Sequence, residues 1–179
     1  MDWWPLVGEP TRGAWVALTL QLPQDRLSVA VVRHLTHHAL DELGVVDRVA
    51  DDVELALAEA CANVLTHSGP GDVYDVSIAI GPETCDIRVT DVGRGFDHAS
   101  LKREMAGADA ESGRGVALMC ALMDQVRFVS EPEQGTIVHL VKRLEFDDSS
   151  PTRLLMLADM REERPRRTSV GVPPTGPDG

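Results

Sequence analysis

Three polar residues, Glu59, Asn63 and His67, recur at a spacing of four. On a helix that spacing stacks them along one face. They border an apolar stripe formed by Val49, Val53, Leu57, Ala60 and Val64, so they lie close to a core. A carboxylate, an amide and an imidazole placed there cost free energy unless they have partners or a task. The competing reading is a polar helix edge that ends in a histidine favoured by the helix dipole. A second group is Asp91-Val-Gly-Arg-Gly95. A carboxylate at a strand end can accept from an amino group such as the exocyclic amine of adenine. Two glycines then let the backbone turn and approach a ligand, although an ordinary β-turn has the same composition. A third group, Gly113-Arg-Gly115, precedes an apolar helix. Free N–H groups at a helix start suit phosphate, and Arg114 adds a cation, but glycine also serves simple loop-to-helix geometry.

These groups need elements to position them. Ala14–Leu20 reads as a short edge strand, broken by Pro23 and Asp25. Leu27, Val31, Leu35 and His38 recur at helical spacing through about Leu43, and Gly44 is a stop. His34, His37 and His38 cluster on this helix. His34 and His38 could share a face toward a metal, but partly exposed helix histidines are the better reading because no motif completes a site. The second helix spans Asp47–His67. Val73–Ile80 alternates Tyr74, Val76, Ile78 and Ile80 on one face. A turn then leads into the alternating strand Cys85–Thr90, which delivers Asp91. Residues 96–112 are irregular and read as a lid, with a short helix around Ser100–Met105. The helix opened by Gly113 carries Val116, Met119, Cys120 and Met123 as its buried face, and strands Val126–Glu131 and Thr136–Leu144 follow. The succession β-α-α-β-β-lid-α-β-β gives an α+β fold. It is a two-layer sandwich with a mixed, mostly antiparallel sheet and helices on one face. Residues 1–13 read as an arm carrying Trp3 and Trp4. Residues 147–179 hold five of the eleven prolines and five arginines, and read as a disordered tail with a short helix near Arg153–Glu163.

With 179 residues, 43% hydrophobic and 26% charged, the chain can bury one full core. Its formal net charge of −12 disfavours nucleic acid and anionic membranes as partners, and leaves a basic protein partner possible. Cys61, Cys85 and Cys120 are odd in number and lack zinc spacing, so they read as reduced core or near-core thiols in a cytosolic protein. No apolar run approaches a membrane span, and Met1–Pro5 does not open a signal peptide.

Taken together, Leu57-Ala-Glu-Ala-Cys-Ala-Asn63 with His67, Asp91-Val-Gly-Arg-Gly95, Gly113-Arg-Gly115 and Gly135-Thr136 resemble the four successive boxes of the GHKL ATPases. The short form, with Met123-Asp124 closing the third helix, is similar to the anti-sigma factor serine kinases of the SpoIIAB and RsbW type. The resemblance covers residues 14–146, the expected ATP-binding kinase domain. It implies ATP and Mg²⁺ as cofactors. It makes Glu59 the general base and Asn63 the magnesium ligand, a hard amide oxygen suited to that ion. It makes Asp91 the adenine reader, and Gly93 and Gly95 the loop passing the nucleotide. Gly113, Arg114 and Gly115 become the phosphate loop, and Thr136 a support for the adenine side. Arg33 falls where the family has a partner-contacting arginine, although a plain surface or salt-bridged arginine fits equally. The implied activity is phosphorylation of a serine on an anti-anti-sigma (STAS-type) protein, with sequestration of a sigma factor, in a cytoplasmic homodimer. The alternative is a catalytically silent module that uses nucleotide only to hold a partner. No phosphoacceptor histidine box is present, which argues against a full sensor histidine kinase.

Overall fold

The computed structural model describes residues 15–67, 73–91, 112–131 and 135–154. The expected arm, Gly93 and Gly95, the expected lid up to residue 111 and the tail beyond Leu154 lie outside the described residues. The elements are β1 (Val16–Pro23), α1 (Arg26–Glu42), α2 (Asp47–His67), β2 (Val73–Ile80), β3 (Thr84–Asp91), α3 (Ser112–Leu122), β4 (Gln125–Glu131) and β5 (Gly135–Arg143).

The strands form one five-stranded sheet in the order β1-β2-β3-β5-β4. All four pairings are antiparallel, so no parallel pair appears among the described strands. Alternation decides the faces. Val76, Ile78 and Ile80 of β2, Cys85, Ile87 and Val89 of β3, and Val138 and Leu140 of β5 are buried. They form one core with Val49, Val53, Leu57 and Ala60 of α2, Val32 and Leu40 of α1, and Val116 and Met119 of α3. The helices therefore cover one face of the sheet, and the α2 stripe read from the sequence is the central contact.

In α1 the helical period is correct, but the face it buries is a different one. Leu27, Val31 and Leu35 are 72%, 51% and 40% exposed, while Ser28, Val32, Thr36 and Leu40 are buried. Two hydroxyls can go inside because they are bonded there. Thr36 Oγ1 donates to the Val32 carbonyl at 2.7 Å, and Ser28 Oγ donates to the Asp25 carbonyl at 2.8 Å. The Asp25 carboxylate caps the helix by accepting from Ser28 N at 2.7 Å. At the other end Gly44 adopts φ 75°, which a side chain would resist. The Cβ of Ser150 also fills the space a Gly44 side chain would need.

Other details differ from expectation, beyond shifts of one residue at strand ends such as Gln125 and Gly135. β1 begins two residues later and runs to Pro23, which sits opposite Val73 at the end of the strand, where a missing N–H is tolerated. Cys120 is exposed rather than part of the buried face of α3, whereas Val116, Met119 and Met123 are buried. The packed chain also continues past Phe146. Val45 and Phe146 form an isolated bridge, Asp147 N donates to the Gly44 carbonyl, and Ser150 is buried before a helical turn at Pro151–Leu154.

Candidate active site

The sheet register assembles one end of the site. Asp91 is the last residue of β3, and alternation turns it toward the helices, where it is 3% exposed. Its cross-strand partner on β5 is Thr136, also buried, and on β2 it is Tyr74. Three strands thus line up Tyr74, Asp91 and Thr136 in one row. The Tyr74 hydroxyl lies 3.1 Å from Ser28 Oγ, and burial raises its pKa above the ordinary tyrosine value. Gln24, between β1 and α1, donates from Nε2 to Asp91 Oδ1 at 3.4 Å. Sequence reasoning passed over Gln24, which belongs to no motif and carries no signal beyond its place at a strand-to-helix junction.

Helix packing assembles the other end. Glu59 and Asn63 stand one turn apart on α2, both half-buried. The backbone of Gly115, in the first turn of α3, presses against them. A Cβ there would lie 2.7 Å from Glu59 Oε2 and 3.6 Å from Asn63 Oδ1. The glycine is therefore needed for close approach, and two motifs far apart in sequence meet at one point. Gly113 shares this first turn, and Arg114 points to the exposed side of α3. An oxygen donor from Asn63 beside a cradle that a side chain would fill fits a small hard cation such as Mg²⁺.

The far end of α3 is anchored. Lys142 of β5, mostly buried, donates to the Leu122 carbonyl and lies 2.7 Å from Asp52 Oδ2 on α2. The Asp124 carboxylate accepts from Arg143 N at 2.6 Å and from Arg143 Nε at 3.0 Å. These bonds, the backbone one foremost, hold Asp124 below the usual carboxylate range. Met123-Asp124 thus acquires a physical role: the methionine is buried and the aspartate ties the end of α3 to β5.

Burial pushes the Cys61 thiol, between Glu59 and Asn63 in sequence, up to about 12 against a smaller opposing hydrogen bond with Tyr74, and burial together with the Asp86 charge pushes Cys85 up to about 12. Neither is a thiolate near neutral pH, so neither is a nucleophile.

Arg33 lies away from these groups. Its Nε is 3.0 Å from Glu54 Oε1 of α2, and one terminal nitrogen is 3.1 Å from His34 Nε2. His37, rather than the His34–His38 pair, meets the carboxylates of α2: its Nδ1 is 2.8 Å from Glu54 Oε2 and 3.9 Å from Asp51 Oδ1, while His38 Nε2 lies 3.8 Å from Glu42 Oε1 on its own helix. The carboxylates come from α2, which a search along α1 alone could not find. Arg33 shares Glu54 with His37, so the group is an ion-pair cluster joining the two helices.

Comparison with known proteins bears on the family and the fold. Residues 22–142 match the family model of the histidine kinase-like ATPase domain. The chain is 26% identical over 138 residues to the serine-protein kinase RsbW of Bacillus cereus, covering 72% of this chain and 85% of that one. It is 27% identical over 140 residues to the serine-protein kinase RsbW of Halalkalibacterium halodurans, covering 73% and 85%. Among solved structures, the RsbU and RsbW domains of a Mycobacterium tuberculosis protein superpose with a TM-score of 0.56 at 21% identity, covering 72% of this chain and 32% of that one. The SiaB–SiaC complex of Pseudomonas aeruginosa gives 0.52 at 17% identity, covering 70% and 89%. The two structures bear on the fold alone. No helix among the described residues is long and apolar enough to cross a membrane.

Proposed function

The chain belongs to the histidine kinase-like ATPase domain family, and from that premise we propose that it is an ATP- and Mg²⁺-dependent protein serine kinase of the anti-sigma type. The observation that carries the reading is the contact of Gly115 with Glu59 and Asn63. A site that only held nucleotide would have no use for a carboxylate at that point. In the proposed reaction the serine hydroxyl oxygen of the substrate bonds to the γ-phosphorus of ATP, and the bond to the β,γ-bridging oxygen breaks to release ADP. Glu59 accepts the hydroxyl proton. Asn63 would hold the magnesium ion through Oδ1, and the ion when bound neutralises phosphate charge. Asp91 accepts from the adenine amine, Thr136 supports that end, and Gly93 and Gly95 pass the nucleotide. Gly113, Arg114 and Gly115 face the phosphates at the start of α3.

The proposed substrate is a STAS-type anti-anti-sigma protein, and a sigma factor is the second proposed partner. The RsbW relatives are named serine-protein kinases, which supports the transfer reaction. Arg33 is the proposed partner contact. Its Nε is engaged by Glu54, and the side chain remains 37% exposed. A cytoplasmic homodimer completes the reading. The exposed stripe Leu27, Val31 and Leu35 and the open edge of β1 supply an apolar face for a second copy. A single monomeric species in sedimentation at tens of micromolar would overturn the dimer.

Calorimetry with Mg-ATP tests the site. Wild type should bind saturably and Asn63→Ala should not. Glu59→Gln should retain binding and lose transfer. Equal, measurable transfer by Glu59→Gln and wild type would remove the base assignment, and a wild type that binds Mg-ATP without transferring phosphate would favour the silent, partner-holding module.

A further inference from the structure

The base end of the site contains a polar side chain that the four motifs do not include. Gln24 sits at the apex of a three-residue turn, closed by Asp25 N donating to the Pro23 carbonyl at 2.8 Å. On one side of it β1 ends in the pair Pro23–Val73. On the other, Asp25 caps α1 through Ser28 N at 2.7 Å, and Ser28 Oγ lies 3.1 Å from the buried Tyr74 hydroxyl. The backbone of Gln24 is therefore mounted between two fixed elements. Its side chain spans the width of β2 to reach Asp91 on β3, where Nε2 donates to Oδ1 at 3.4 Å.

A carboxamide nitrogen carries two hydrogens. One is committed to Asp91, so the second is held beside that carboxylate. The pair then presents an acceptor and a donor side by side. The Watson–Crick edge of adenine presents the complement, with the N6 amine as donor next to N1 as acceptor. We propose that Gln24 is a base-recognition residue, which donates its second amide hydrogen to adenine N1 while Asp91 accepts from N6. Asp91 alone reads one atom of the base; with Gln24 the site reads two and fixes the rotation of the ring in its plane. This rests on the nucleotide-binding reading given above.

The test is calorimetry with Mg-ATP and with Mg-1-deaza-ATP, in which a C–H replaces N1, on wild type and on Gln24→Met. Methionine keeps the length of the side chain and removes both donors. Wild type should bind ATP about three- to tenfold more tightly than the 1-deaza analogue, the worth of one hydrogen bond. Gln24→Met should bind ATP more weakly by a similar factor and should no longer distinguish the two ligands. A merely structural role for Gln24 would lower both affinities together and leave their ratio unchanged, which would overturn the proposal. So would a wild type that binds both nucleotides equally. Gln24→Glu provides a second arm if the methionine variant does not fold: an acceptor facing N1 should also abolish the preference for ATP, and a preserved preference would count against the proposal. Failure of wild type to bind either nucleotide would instead remove the nucleotide reading, and this inference with it.

Discussion

The two ends of the site are built by different means. At the proposed base end, Tyr74, Asp91 and Thr136 are adjacent in strand register, and a residue cannot leave that row without slipping a strand. At the proposed phosphate end, Glu59 and Asn63 are half-buried on one helix, and a glycine on another sets their surroundings. The base end is fixed by backbone pairing, so it is suited to recognition. The proposed phosphate end is fixed by packing between helices, so a small displacement there would shift Glu59 and Asn63 without unfolding the sheet. Side chains on opposite ends should therefore fail in different observables.

The largest effect expected is from Glu59→Gln, about 10²- to 10⁴-fold in transfer with binding retained, the usual contribution of a general base. Gly115→Ala sharpens the comparison further. The new methyl would stand 2.7 Å from Glu59 Oε2, the far end of a flexible side chain that can swing away at little cost in stability. Alanine also favours a helix over glycine by about 1 kcal/mol. Thermal stability should hold or rise while transfer falls by about 10- to 100-fold, as expected for a displaced catalytic group. A variant that transfers at the wild-type rate would mean that the phosphate end is not set by this contact. Changes at Gln24 should be smaller and should appear in affinity.

The smallest effect concerns the anchored end of α3. Bonds from Arg143 depress the pKa of Asp124 in the folded chain. A depressed carboxylate contributes stability that is present above its unfolded value, near pH 4, and is lost as pH falls through the folded value. Asp124→Asn should cost about 1 kcal/mol or less at neutral pH, because the group is partly exposed. It should also flatten the acid limb of the stability curve. Denaturant melts from pH 7 to pH 3 would read both, and parallel limbs would assign acid sensitivity elsewhere.

Much of this was legible in the sequence wherever period and burial coincide. β2 was read at its observed bounds, as was α2 with its buried stripe, because apolar residues there alternate or recur without competition. α1 misleads because two of its inward positions are Ser28 and Thr36, whose hydroxyls bond locally, while leucine and valine face out. A hydropathy pattern cannot anticipate a hydroxyl that satisfies itself. The site divides along the same line. The motif residues Glu59, Asn63, Asp91 and Thr136 carry signatures. Gln24, Lys142 and the His37 cluster act across elements, and only the folded arrangement joins Gln24 to Asp91, Lys142 to Asp52, or His37 to Glu54.

The bridge between Val45, in the α1–α2 turn, and Phe146 has a practical consequence. Trp15 and Phe146 meet edge to face, with ring centroids 5.7 Å apart, next to the bridge with Val45. Trp15 and Phe146 therefore share one corner of the packed body. That corner is at the Val16–Ile80 end of the sheet, opposite the Asp91–Thr136 end, and eight-residue strands separate the two by roughly 25 Å. A fluorophore attached at position 15 or 146 would therefore stand on the side remote from the proposed nucleotide site, and could report on that corner without touching the site.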